Sequence, residues 1–139
     1  MSNIEFAQLS DHVKCDPIEH IDPKPLLGHW INSNPDTTSI ARINITESNG
    51  KLQLHVFAVG PDGPIDWGVA PADVFAAGPA SRTGAGFMCT YDFGFAEARF
   101  QAMIMKGLLV LAQFHIFKDD SKRASYFLRE YYAMTHEHF

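Results

Sequence analysis

The residues with the clearest chemical potential are seven histidines, a scatter of carboxylates and two cysteines. His55 and His115 each sit inside a run of alternating apolar residues. Two imidazoles facing each other could form an acid–base pair, since a histidine titrates near neutral pH. Neither lies in a ligand-spaced motif such as HxH or HExxH, so no metal is expected. His136 and His138 flank Glu137 at the chain end and read as a frayed tail or as adventitious metal binding. Asp36, Asp62, Asp66, Asp92 and Glu97 are spread over turns and strand ends, with no pairing of the kind a carboxylate hydrolase needs. No nucleophile elbow, P-loop or dinucleotide fingerprint is present, and Gly84-Ala85-Gly86 is too short to be one, so no cofactor is expected. Cys15 and Cys89 are far apart, form no CxxC pair and read as free thiols.

These groups must be positioned by a chain of 139 residues, 46% hydrophobic and 12% aromatic, enough to bury one sizeable core. The net charge of −5 repels phosphate backbones, which argues against a nucleic-acid partner. No basic run marks an anionic membrane surface, and no apolar stretch approaches the roughly 20 residues that cross a bilayer. Met1 to Val13 lacks the basic and apolar regions of a signal peptide. These features predict a soluble, cytoplasmic protein.

Residues 1–25 read as a lead-in: a short amphipathic helix over Ile4 to Val13, then extended chain imposed by Pro17, Pro23 and Pro25. Residues 26–139 form the domain. Eight strands are predicted at 27–33, 39–48, 51–59, 66–76, 85–94, 97–105, 108–118 and 124–134. Turn-formers separate them, among them Asn34-Pro35-Asp36, Asn49-Gly50 and Lys106-Gly107. Strands at this spacing suggest an all-β sandwich or barrel, and the expected form is an antiparallel up-and-down barrel of about eight strands. Pro71 should confine the fourth strand to an edge or a bulge.

Asn49-Gly50 is a strong two-residue hairpin signal, because both residues tolerate positive φ. That turn sets Ile45 opposite Leu54, Ile43 opposite Val56, Ala41 opposite Ala58, Asn44 opposite His55 and Arg42 opposite Phe57. For the 97–118 hairpin a three-residue loop, with Gly107 at positive φ, keeps an apolar face (Phe100, Ala102, Ile104, Val110, Ala112, Phe114, Ile116) apart from a mixed one. The mixed face collects Arg42, Asn44, Gln53, His55, Phe57, Arg99, Gln101, Met103, Leu111, Gln113, His115, Phe117 and Glu130. It either faces solvent while the apolar face makes the core, or it lines the barrel interior as a ligand pocket. In the second case the lead-in or a second copy of the chain, in a homodimer, would cover the apolar face.

Gly28-His29-Trp30, at the start of the first strand, resembles the Gly-x-Trp signature of lipocalins and the wider calycin group. The resemblance implies that Trp30 closes one barrel end and that Arg129, from the last strand, packs across its ring. The lipocalin Thr-Asp-Tyr motif is missing; Thr90-Tyr91-Asp92 holds those letters in another order. A closer similarity is to small bacterial proteins with lipocalin-like barrels and no established activity. It rests on Trp30 to Thr37, Gly50 to Phe57, Asp66-Trp67-Gly68, Phe117 to Arg123, Tyr126 and Glu130.

Three functions fit these observations. In the first, the barrel binds one small, largely hydrophobic molecule, as an interior of eight strands permits. Trp30, Phe57, Trp67, Tyr91, Met103 and Phe117 would give apolar contact. Arg42, Arg99, Gln101 and Gln113, with the two histidines, would orient its polar end. In the second, the barrel is a cofactor-independent cyclase or isomerase of small-molecule biosynthesis, with His55 or His115 as the acid–base group. In the third, it is a structural or oligomeric protein whose barrel is filled by its own side chains.

Overall fold

The computed structural model describes residues 20–136. The expected helix over 4–13, Cys15, Glu137 and His138 lie outside them. The described chain is a closed barrel of eight antiparallel strands in sequential order. They are β1 (Gly28–Asn32), β2 (Ile40–Ser48), β3 (Lys51–Ala58), β4 (Ile65–Ala76), β5 (Gly84–Asp92), β6 (Ala96–Met105), β7 (Leu108–Phe117) and β8 (Tyr126–Thr135). β1 pairs with β8, which closes the wall and leaves no sheet edge. Among the described residues, no helix is long and apolar enough to cross a membrane.

The first hairpin forms at Asn49 (φ 53°) and Gly50 (φ 78°), the positive dihedrals a type I′ turn requires. Ile45 faces Leu54, Ile43 faces Val56, Asn44 faces His55 and Arg42 faces Phe57, as expected. Ala41 does not face Ala58. The register shifts between Ile40 and Arg42, and Ile40 takes that place. The Ile40 carbonyl, turned inward at this irregularity, accepts hydrogen bonds from Asn32 Nδ2 (3.0 Å) and from the Tyr132 hydroxyl (2.7 Å). Two buried donors thus hold the bulge in place.

The second hairpin corrects the expected three-residue loop. Met105 pairs with Leu108, so the turn has two residues, Lys106 (φ 52°) and Gly107 (φ 82°). Gly107 does adopt positive φ, and Lys106 joins it. A loop one residue shorter inverts the facing of β7 relative to β6. Leu109, Leu111, Gln113 and His115 therefore share the interior with Phe100, Ala102 and Ile104. Val110, Ala112, Phe114 and Ile116 share the outer wall with Arg99, Gln101 and Met103. In the first hairpin the apolar face is the core, whereas in the second each strand contributes its own alternate.

Pro71 is not at an edge. β4 is long and bent by Gly68 (φ 78°), with a register shift against β3 nearby. Its first half pairs with β3, and its ladder to β5 begins at Ala72, one residue past the proline. Pro71 itself is paired with Gln53 of β3, so its missing N–H falls where β5 has not yet joined.

Ile43, Leu54, Val56, Phe100, Leu109, Leu111 and Tyr132, each at most 1% exposed, fill the barrel middle. The end carrying the Asn49 and Lys106 turns is plugged by a 3₁₀ turn, Lys24–Leu26, whose Leu26 is fully buried. Asp22 anchors that turn by a bridge to Thr83. Trp30 seals the plug with its indole N–H on the Leu26 carbonyl at 3.0 Å. Arg129 does not cross that indole. It points outward between the inward residues Leu128 and Glu130, with its guanidinium 5.8 Å from the Phe127 ring.

Candidate functional site

The unplugged end is formed by loops 33–39, 59–64, 93–95 and 118–125, and it carries a cluster of rings. Trp67, at the start of β4, lies 5.5 Å from Tyr91, 5.0 Å from Phe93, 6.1 Å from Phe100 and 6.4 Å from His115. The bulge at Gly68 places it there: the Gly68 N–H donates to Asp66 Oδ1 at 2.7 Å, and the Gly68 carbonyl accepts the Tyr91 hydroxyl at 2.8 Å. His115 stacks on Tyr126 at 4.5 Å and 6°. Phe93, Phe95 and Tyr126 stand half in solvent at the rim. Arg123 lies over the Phe117 ring at 4.2 Å and pairs with Asp119 at 3.1 Å.

Beneath the rings is a polar floor. Gln113 is fully buried and sits directly opposite Phe100. Its Oε1 accepts from Ser39 Oγ at 3.2 Å and lies 2.9 Å from His115 Nε2. An amide oxygen can only accept, so that contact puts the His115 proton on Nε2 and the basic lone pair on Nδ1. Thr37 Oγ1 donates to Glu130 Oε2 at 2.6 Å and accepts the Ser39 N–H at 3.1 Å. Two atoms of this network, Gln113 Nε2 and Glu130 Oε1, are buried without a partner among the described residues. Burial pushes the His115 pKa down, which favours the neutral ring. Burial also raises the Tyr91 hydroxyl, first by desolvation and then by nearby Cys89.

Of the residues singled out from the sequence, the structure gathers Trp67, Tyr91, Gln113 and His115 at this mouth, with Phe117 on its rim. It separates the others. Trp30 belongs to the opposite, plugged end, 2% exposed. His55, Arg42 and Phe57 are on the outer wall, because their strand alternates point away from Ile43 and Val56. His55 Nε2 contacts Asp66 Oδ1 at 2.7 Å, and its ring lies 4.4 Å from Phe57. His55 and His115 therefore occupy opposite sides of the wall and form no pair. Arg99, Gln101 and Met103 are also on the outer wall, where Arg99 binds Glu97 at 2.9 Å. There they border shallow grooves of about 390, 420 and 300 Å³ along β4 to β8, shared with Met88, Val110 and Phe114.

Thr37, Ser39, Phe93, Phe100 and Tyr126 belong to the mouth but are not among the site residues expected from the sequence. Phe93-Gly94-Phe95, two aromatics around a turn glycine, was the available signal for the rim. Thr37 enters the sequence reading only as the end of the Trp30–Thr37 stretch, and nothing marks Ser39, since the contacts of both depend on β7 and β8 closing against the first hairpin. Among the described residues, no group of three or more His, Cys, Asp or Glu side chains could hold a metal.

The molecule is thus an eight-stranded up-and-down β-barrel, plugged at one end, with an aromatic mouth over a buried polar floor at the other. No family model, curated protein or solved structure matches the chain.

Proposed function

We propose that the barrel binds one small, largely apolar molecule at this mouth, in the manner of lipocalin-like proteins. The observation that carries the reading is the pair of buried, unpartnered polar atoms beneath half-exposed rings. An unmet buried donor or acceptor costs about 1–3 kcal/mol, so native proteins keep few without a use. Aromatic walls around a few convergent polar groups are the usual lining of a ligand site. A second reading, a cyclase or isomerase using His115, draws support from its neutral ring and the Nδ1 lone pair, which could accept a substrate proton.

The test uses N-phenyl-1-naphthylamine, an apolar dye that fluoresces on leaving water. Trp67→Leu should weaken dye binding by roughly tenfold, the size of one lost aromatic contact. Met103→Ser, on the outer wall, should leave it unchanged. Dye binding that follows Met103 and ignores Trp67 would move the ligand to the outer grooves and end the proposal.

A further inference from the structure

We infer that the ligand presents a hydrogen-bond acceptor and an N–H donor side by side on the edge of a flat ring, the pattern of a lactam or other cyclic amide. This inference rests on the mouth being the binding site. Gln113 and Glu130 rise from neighbouring strands onto the same interior face. The pairings Gln113–Leu128 and Leu111–Glu130 make them diagonal neighbours, within reach of one small group.

Each side chain is tied down by its other polar atom. Gln113 Oε1 is engaged by Ser39 and His115, and Glu130 Oε2 by Thr37. Thr37 in turn accepts the Ser39 N–H, so the two sides belong to one network. What remains, among the described residues, is the Gln113 amide nitrogen with its N–H donors and one oxygen acceptor on Glu130, both buried and unmet.

That pair selects its complement by type. A carboxylate ligand would satisfy Gln113 and set oxygen against oxygen at Glu130. An ammonium would satisfy Glu130 and set donor against donor at Gln113. A pure hydrocarbon would satisfy neither. A neutral edge bearing C=O beside N–H serves both side chains at once, with the carbonyl accepting an N–H of Gln113 and the ligand N–H donating to Glu130. The surrounding Trp67, Phe100, His115 and Tyr126 rings favour a flat, apolar body behind that edge.

Three probes of nearly equal size separate the possibilities by isothermal titration calorimetry. They are 2-quinolone, which carries the full edge; N-methyl-2-quinolone, whose donor is blocked; and 2-naphthol, which offers one hydroxyl. The expected order places 2-quinolone roughly tenfold or more ahead of both others, the usual penalty for stranding a buried polar group. In Glu130→Leu the advantage of 2-quinolone over its N-methyl form should shrink to within about threefold. All three binding alike would overturn the edge and leave the aromatic mouth standing. So would 2-naphthol equalling 2-quinolone, since a single atom would then suffice. No binding by any of them, in a chain that does not bind N-phenyl-1-naphthylamine either, would remove the mouth itself. The wild-type series needs no variant to fold.

Discussion

Replacing Gln113 by leucine should leave the barrel nearly as stable as before, an unusual outcome for a fully buried amide. The side chain is 0% exposed, next to Leu111 in the same inward file, and leucine fits that file without a new polar atom. Removal of Oε1 costs the contacts from Ser39 and His115, about 0.5–1.5 kcal/mol each. Both partners are only partly buried, so they can turn toward the mouth and recover water. Removal of Nε2 abolishes an unmet buried donor, which returns about 1–3 kcal/mol. The terms nearly cancel, and the expected change is within about 1 kcal/mol in either direction, or roughly 3 °C in Tm for a domain of this size. Urea denaturation should show a matching midpoint shift with an unchanged slope. Leu111→Ala, which only opens a cavity, should cost about 2–5 kcal/mol in the same assay. A loss above about 2 kcal/mol for Gln113→Leu would refute the reasoning. It would mean that Nε2 is satisfied in solution, by an ordered water for instance, and that the floor carries no unmet donor.

Two other perturbations test the frame around the site. Gly86→Ala should destabilise by about 2 kcal/mol or more by thermal melt, because its Cβ would lie 2.3 Å from the Ala102 carbonyl oxygen of the adjacent backbone, which cannot move without breaking the β5–β6 ladder. A melt within 2 °C of the parent would show that the two strands sit farther apart than described. Acidification should weaken the fold through His115. Its folded pKa lies below the ordinary 6.5, so the unfolded chain binds the proton more readily. The histidine's contribution is complete above pH 6.5 and declines as pH falls from there toward the lowered folded value. His115→Gln should flatten that part of the Tm–pH curve, and an unchanged curve would place the burden on another group.

How far the sequence reached can be judged residue by residue. Period-two alternation and the Asn-Gly turn were enough for the first hairpin through Arg42–Phe57, because a two-residue turn of known type leaves one register. They failed at Ala41, where the bulge is held by Asn32 and Tyr132, partners 8 and 92 residues away from Ile40. No local pattern carries a contact of that span. Trp67 and Tyr91 were recognisable as bulky rings near strand ends. That they face the same mouth as His115 depends on Gly68, whose positive φ turns β4 by one bulge.

The second hairpin shows why face assignment is harder than strand assignment. A three-residue loop would keep an apolar face and a mixed face intact. Lys106 instead accepts positive φ, and the turn closes with two residues. That choice sends Gln113 and His115 inward and Arg99, Gln101 and Met103 outward. The barrel tolerates polar Gln113 inside because Ser39 and His115 meet its oxygen, and it leaves Val110, Phe114 and Ile116 outside on a wall with no opposing layer within the described residues. A pattern rule that minimises polar burial strand by strand cannot find this arrangement, since the compensation comes from Ser39, 74 residues upstream. Where such a rule is broken and the compensation falls short at two atoms, Gln113 Nε2 and Glu130 Oε1, the missing partner lies outside the described residues.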